Sequence, residues 1–195
     1  MDRGVLTSEI VADGRASARA VEAFLAQNAG GLVELAELTA RSLAEGGKVL
    51  VFGNGGSAAD AQHLAGEFIG RFALERAPMA AVALTVDSSV LTCVSNDYGF
   101  EHSFTRQVRG LAREGDVVIG ISTSGNSPNV LGALAAARER GCRTVGLTGG
   151  TGGGMAEVCD ALFIAPTGET PRIQECHMAW IHAYCRAAEA IFVHG

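Results

Sequence analysis

Lysine is almost missing from this chain: Lys48 is the only one in 195 residues. A phosphate-gripping P-loop lysine is therefore excluded, and Schiff-base chemistry is disfavoured. Any bound phosphate must be held by backbone N–H groups, hydroxyls or arginine. No run of basic residues occurs, and the formal net charge is −6. Nucleic acid is not expected as a partner, because affinity for its backbone needs a concentrated Lys/Arg face. No apolar run is long enough to cross a bilayer, so no membrane partner is expected. Met1 to Asn28 lacks a charged start followed by an apolar stretch, which predicts no signal peptide. The five cysteines (Cys93, Cys142, Cys159, Cys176 and Cys185) form no C-x-x-C pair, and their odd number suits reduced thiols in the cytoplasm. Each is expected to be a small buried hydrophobe.

What is present describes an ordinary globular domain. Hydrophobic residues make up 48% and charged residues 18%, a balance that suits one packed core. The chain reads as a single domain over 1–195, with N-terminal helices over 1–46 and an α/β sandwich over 47–195. Val21, Phe24 and Leu25 sit at helical spacing, as do Leu32, Leu35, Leu38 and Leu43. Gly30-Gly31 is expected to separate these two helices, and Gly46-Gly47 to stop the second. From Lys48 onward, short apolar runs alternate with helical patterns. The runs are Val49–Phe52, Ala80–Val86, Val117–Ile121, Thr144–Leu147 and Leu162–Ala165. Helical patterns lie near Ala58–Ile69, Ser103–Ala112, Pro128–Arg140 and Ile173–Phe192. This alternation predicts a doubly wound parallel sheet, with ligands beyond the carboxyl ends of its strands.

The 26 glycines cluster in loops. Gly53-Asn54-Gly55-Gly56-Ser57 follows the first apolar run, and Ser57 with Asp60 has the spacing of a capping box. Glycines admit a ligand to the backbone, and a helix start supplies N–H donors. A plain Gly-rich turn with a capped helix is the ordinary alternative. The second loop, Ser122-Thr123-Ser124-Gly125-Asn126-Ser127-Pro128, carries four hydroxyls within six residues. Ser127 suits an N-cap and Pro128 the first helical position. The hydroxyl cluster suits a phosphate monoester, although Ser-rich surface turns are common. Gly149 to Gly154 is expected to be a flexible turn without a role.

His63 and Glu67 are four residues apart and share a helical face. They could bind a metal, pair a base with a partner, or form a surface pair. The last helical pattern holds Gln174, Glu175, His177 and His182. Spacing alone does not choose among them: Glu175 and His182 share a face, whereas Gln174 and His182 lie about two turns apart. His177 and His194 are expected to satisfy core or surface hydrogen bonds.

The segments Gly-Asn-Gly-Gly-Ser-Ala-Ala-Asp-Ala-Gln-His (53–63), Asn96-Asp97-Tyr98, Ser-Thr-Ser-Gly-Asn-Ser (122–127) and Arg-Ile-Gln-Glu (172–175) resemble the phosphoheptose isomerases of the sugar-isomerase (SIS) class. The resemblance runs through most of the chain in order. It implies a five-stranded parallel, flavodoxin-like α/β sandwich with extra N-terminal helices, assembled as a homotetramer with sites between subunits. The implied reaction is aldose–ketose isomerisation of sedoheptulose 7-phosphate through an enediol. By the same resemblance, His63, Glu67, Gln174 and His182 would bind one zinc ion per subunit. Glu67 would be the general base and His182 the general acid. Asn54, Gly55, Gly56, Ser57, Glu67, Asn96, Asp97, Ser122, Thr123, Ser124, Ser127 and Gln174 would contact substrate, with Arg71 a weaker candidate. A non-catalytic SIS protein that associates with the replication initiator shares the loops and the Arg-Ile-Gln-Glu segment. It lacks counterparts of Glu67 and His182, and both are present here.

Overall fold

The computed structural model describes residues 2–195. Five parallel strands form one sheet in the order β2-β1-β3-β4-β5, with β1 at Val49–Gly53, β2 at Ala81–Ala83, β3 at Val117–Ile121, β4 at Arg143–Gly149 and β5 at Ala161–Ala165. Neighbours pair in simple register; Val49 lies beside Val117 and Gly53 beside Ile121. The central strands β1 and β3 are buried at every residue, as expected when both faces of a parallel sheet are covered.

Alternate side chains feed two cores. Val49, Val51, Val117, Ile119 and Ile121 join a core with Phe24, Leu64, Phe68, Trp180 and Tyr184. Its helices are α1 (Arg3–Ala44), α2 (Gly56–Ile69) and α7 (Thr170–His194). Leu50, Phe52 and Val118 face a second core with Phe104, Val108, Val130 and Leu134. That side is covered by α4 (Thr105–Leu111) and α5 (Pro128–Glu139). Gly120 admits α5 closely: a Cβ there would stand 2.9 Å from both Leu134 Cδ1 and Val130 Cγ1. Two further helices, α3 (Ser88–Tyr98) and α6 (Met155–Val158), sit between strands.

The N-terminal region departs from expectation. Two helices broken at Gly30-Gly31 are replaced by one helix of 42 residues. Two glycines in a helix interior cost about 1 kcal/mol each relative to alanine. Burial of Phe24, Leu32, Leu35, Ala36 and Ala40 outweighs that cost. Gly31 also faces Phe163, whose ring carbon Cε1 would be 3.6 Å from an added Cβ. The stop at Gly46 holds, with φ +84. Helix α3 lies where no helix was expected; Asp87 starts it by accepting the Val90 N–H at 3.0 Å.

Candidate active site

The Gly53–Ser57 and Ser122–Ser127 loops leave the carboxyl ends of the adjacent strands β1 and β3. The chain departs from β1 toward β2 on one side and lies against β3 on the other, so the loops flank a switch point of the sheet. Two amide hydrogen bonds of 2.9 Å tie Asn54 to Asn129 in α5, and Asn129 also donates to Ser103. Asn54 thus fixes the first loop to the start of α5, just beyond the second loop.

The capping box expected at Ser57 and Asp60 is not formed. Helix α2 begins at Gly56 with Gly55 as N-cap (φ 56) and no side-chain cap bond. Ser57 therefore sits inside the first turn, 3% exposed. Asp60 is 8% exposed, and its Oδ2 has no hydrogen-bond partner. Burial pushes the Asp60 carboxyl up to about 6, against the opposing pull of His63. No side chain caps this helix start; the Ala58 N–H donates to the Gly55 carbonyl at 3.1 Å, and the N–H groups of Gly56 and Ser57 are left to face an anion.

In the second loop, Ser127 is the N-cap of α5 and Pro128 opens the helix, as expected. The Ser127 hydroxyl makes no cap bond and lies 3.0 Å from Ser122 Oγ instead. Ser124 Oγ is 3.5 Å from Ser122 Oγ. Three hydroxyls are thus gathered at one helix start, while the Thr123 carbonyl accepts the Gly149 N–H at 3.2 Å. The Gly149–Gly154 segment has more than a turn's role here. Gly154 N–H donates to Asn126 Oδ1 at 2.9 Å, and Met155 N–H to the Gly125 carbonyl at 3.1 Å. It buttresses the hydroxyl loop from behind. Gly125 (φ +68) sits so close to Gly152 that a Cβ would collide with that residue's carbonyl.

The second half of the site lies along α2 and α7. Gln174 packs its carboxamide on Gly56, and His63 Nε2 lies 3.0 Å from His182 Nε2. These contacts are seven residues apart on α2 and eight on α7, so the two helices run parallel and nearly in step. His63 Nε2 is also 3.3 Å from Glu67 Oε1. Three chemistry-bearing side chains thus converge on one atom, at the solvent-facing seam of the helices. Phe72 closes one side, its ring 5.9 Å from the His182 ring. Helix rise places this cluster about 10 Å from the loop end of α2.

The remaining candidates are placed elsewhere. Asn96 and Asp97 are exposed in the last turn of α3, and Asn96 Nδ2 donates to Asp97 Oδ1 at 2.8 Å. Neither side chain bonds to a loop among the described residues. Arg71 forms a surface pair with Glu75 at 3.4 Å. Glu175 pairs with Arg172 at 3.2 Å. His177 is a buried core histidine whose Nε2 lies 3.1 Å from the Thr148 carbonyl, in keeping with its expected role. His194 ends α7, exposed.

The donors fit zinc in kind and spacing. With Zn–N bonds of 2.0–2.1 Å, tetrahedral ligand atoms stand about 3.3 Å apart. The separations at His63 Nε2, 3.0 and 3.3 Å, are of that size. Among the described residues, no three His, Cys, Asp or Glu side chains are placed to hold a metal ion, so zinc would require Glu67 and His182 to close around His63. Gln174 lies two turns before His182 on an unbroken helix, about 12 Å along the axis. Helical side chains lean toward the N-terminus, which carries its carboxamide toward Gly56 and away from His182.

Comparison with known proteins places the chain in a family. The SIS-domain family profile matches residues 14–149. A phosphoheptose isomerase of Geobacter sulfurreducens is 55% identical over 184 residues, covering 94% of this chain and 97% of the relative. One from Nitratidesulfovibrio vulgaris is 54% identical over 168 residues, or 86% of this chain and 81% of the relative. The solved phosphoheptose isomerase of Neisseria gonorrhoeae superposes with a TM-score of 0.89 at 46% identity, over 95% of this chain and 99% of the other. The Francisella tularensis enzyme gives 0.90 at 33% identity, over 94% and 98%. The chain belongs to the phosphoheptose isomerase family of SIS-domain proteins.

Proposed function

We propose that this protein is an aldose–ketose isomerase that converts sedoheptulose 7-phosphate into D-glycero-D-manno-heptose 7-phosphate. The observation that carries the reading is the distance between the two halves of the site. The N–H groups at the start of α2 lie about 10 Å along that helix from the His63–Glu67–His182 cluster. With bonds of about 1.5 Å, an extended seven-carbon chain spans roughly 8 Å from C2 to the phosphorus. A substrate anchored by its 7-phosphate would present C1 and C2 to the cluster.

Glu67 takes the proton from C1 while His182 donates one to the C2 carbonyl oxygen, leaving a neutral enediol. The O1 proton then returns to the imidazole, and C2 receives the carbon-bound proton from Glu67. Atoms balance, and no other reactant is consumed. A carboxylate and an imidazole on one seam suit this exchange. Ser122, Thr123, Ser124 and Ser127, with Gly55 and Gly56, bind the phosphate. Asn54 holds the loops together, and Gln174 contacts the sugar. Ser57 lines the first turn, and Asn96 with Asp97 joins the site by closure or from a neighbouring subunit. Zinc held by His63, Glu67 and His182 would supply Lewis acidity at the carbonyl. Gln174 completes that set from another copy of the chain, since within one subunit it leans away from His182.

A homotetramer in the cytoplasm belongs to this reading. It is supported by the exposed Val5 (51%), Ile10 (70%) and Val11 (48%) on α1, which ask for cover. No helix among the described residues is long and apolar enough to cross a membrane.

The test is turnover of sedoheptulose 7-phosphate in deuterated water, before and after chelation and zinc return. Aldose carrying deuterium at C2, with activity lost on chelation and restored by zinc, is the expected result. A folded, zinc-replete protein that leaves the ketose unchanged would refute the isomerase. Full activity after complete metal removal would refute the zinc assignment alone.

A further inference from the structure

Arg76 and Glu189 lie outside every motif that carries the family resemblance, yet they form the most thoroughly buried ion pair among the described residues. Arg76 Nε is 3.1 Å from Glu189 Oε1, and the side chains are 2% and 1% exposed. Both side chains are held by several further hydrogen bonds. Glu189 accepts the backbone N–H groups of Phe72 at 2.9 Å and of Ala73 and Leu74 at 2.8 Å. Arg76 Nη2 donates to the Glu67 carbonyl at 2.9 Å. Its Nη1 donates to the carbonyls of Phe68 at 2.9 Å and Ala77 at 3.1 Å. Burial alone would push the Glu189 carboxyl up. The N–H groups of Leu74, Ala73 and Phe72 and the Arg76 guanidinium together hold it below its ordinary value.

The location of these bonds matters. Helix α2 ends at Ile69, so the carbonyls of Glu67 and Phe68 lie in its last turn without an intrahelical partner; that of Phe68 also accepts the Met79 N–H at 3.0 Å. The guanidinium takes both and fixes the helix end that carries Glu67. The carboxylate fixes the turn that begins at Phe72, whose ring packs on His182 and lies 5.9 Å from the Arg186 guanidinium. One buried pair therefore touches the supports of both proton-transferring residues, from the side away from the loops. Stability by itself does not call for a buried ion pair, since apolar residues of similar volume serve as well. Fixed hydrogen-bond geometry does call for one.

We propose that Arg76 and Glu189 are positioning residues for the isomerisation, setting the separation of Glu67 and His182. The proposal rests on the assignment of those two residues as base and acid. Small displacements of reacting groups cost on the order of 100-fold in rate. Arg76→Lys keeps charge and bulk but cannot serve both α2 carbonyls and Glu189 together. Glu189→Gln keeps shape but presents an N–H₂ group where carboxylate oxygen accepted. In the full chain with sedoheptulose 7-phosphate, kcat per folded subunit is expected to fall about 10–100-fold in each, with KM within about threefold. KM is spared because the phosphate loops lie at the opposite end of α2.

A variant with lower melting temperature but wild-type kcat per folded subunit would overturn the proposal, showing a structural pair only. A rise in KM that accounts for the whole loss would overturn it too. Amide exchange in the wild type reports independently of any variant. The Phe72, Ala73 and Leu74 amides, which lie outside helices and strands, are expected to exchange at least about 100-fold slower than free loop amides. Free-loop rates would overturn the clasp. The underlying assignment fails separately: an active Glu67→Gln would remove the base, whatever Arg76→Lys does.

Discussion

Replacing Gly125 by alanine tests whether the third glycine-rich segment sets the shape of the phosphate cradle. Gly125 adopts φ +68, where an L side chain costs about 1–2 kcal/mol. An added Cβ would also collide with the Gly152 carbonyl and stand 2.9 Å from Thr148 Oγ1. The second clash involves a fully buried side chain with no room to withdraw. Relief requires the Ser122–Ser127 loop to part from Gly149–Gly154 by on the order of 1 Å, because packed interiors do not compress. Such a shift forfeits about one charge-assisted hydrogen bond to the phosphate, roughly 1.5–3 kcal/mol. KM for sedoheptulose 7-phosphate should rise about 10–100-fold, with a smaller change in kcat. The melting temperature should fall by roughly 3–8 °C, given 2–4 °C per kcal/mol for a chain of this length. Gly150→Ala is the control. Gly150 has φ +60 with nothing within 4 Å of its Cβ position, so it suffers strain without collision. Its KM should stay at the wild-type value while its melting temperature drops by a few degrees. A Gly125→Ala enzyme with KM within twofold of wild type would refute the buttress.

Glu67→Gln and His182→Asn should each abolish detectable turnover while leaving circular dichroism and melting temperature near wild type; measurable solvent deuterium uptake by either would exclude that residue from proton transfer. Gly56→Ala puts a Cβ 2.6 Å from Gln174 Nε2, the free end of a flexible side chain, so the fold should tolerate it. Substrate KM should nonetheless rise several-fold through displaced Gln174, and an unchanged KM would deny Gln174 a substrate contact. His177 governs acid stability: burial lowers its pKa from 6.5 to about 4, against the hydrogen bond to the Thr148 carbonyl. A lowered folded value means that its stability contribution is intact above about 6.5 and drains away as pH falls toward 4. The full loss is about 3 kcal/mol. His177→Asn should flatten urea-unfolding stability between pH 6.5 and 4, and an unchanged slope would contradict it.

Much of the architecture was legible because its signals are local. The five apolar runs became five strands, and the loops fell at strand ends, since a parallel sheet buried on both faces needs continuous Val, Ile and Leu. The misreadings have a common cause in tertiary contacts. Gly30-Gly31 reads as a helix break, but packing against α7 and Phe163 carries the helix through it. Ser57 and Asp60 have capping-box spacing, but the positive φ available to Gly55 starts the helix two residues earlier. The role of Gly149–Gly154 depends on Asn126 and Gly125, distant in sequence. Arg76 and Glu189 carry no motif at all, because 113 residues separate them and only folding brings them together.

The proposed acid–base pair shows why spacing within one helix does not choose among the candidates. On α7 alone, Gln174, Glu175, His177 and His182 are equal candidates. The choice is made by α2, which lies parallel to α7 and presents His63 opposite His182 and Gly56 opposite Gln174. Cα positions one residue out of step would turn a side chain by about 100° and leave His63 without a partner. That phase is fixed by the apolar contacts below the seam: Phe68 stacked on Tyr184 at 5.5 Å, and Tyr184 on Trp180 at 4.9 Å. Tyr184 is further tied to Thr39 of α1 at 2.7 Å. The aromatic core therefore does more than hold the helices to the sheet. It sets the rotation at which two histidines and a glutamate, from segments over a hundred residues apart, meet at one atom.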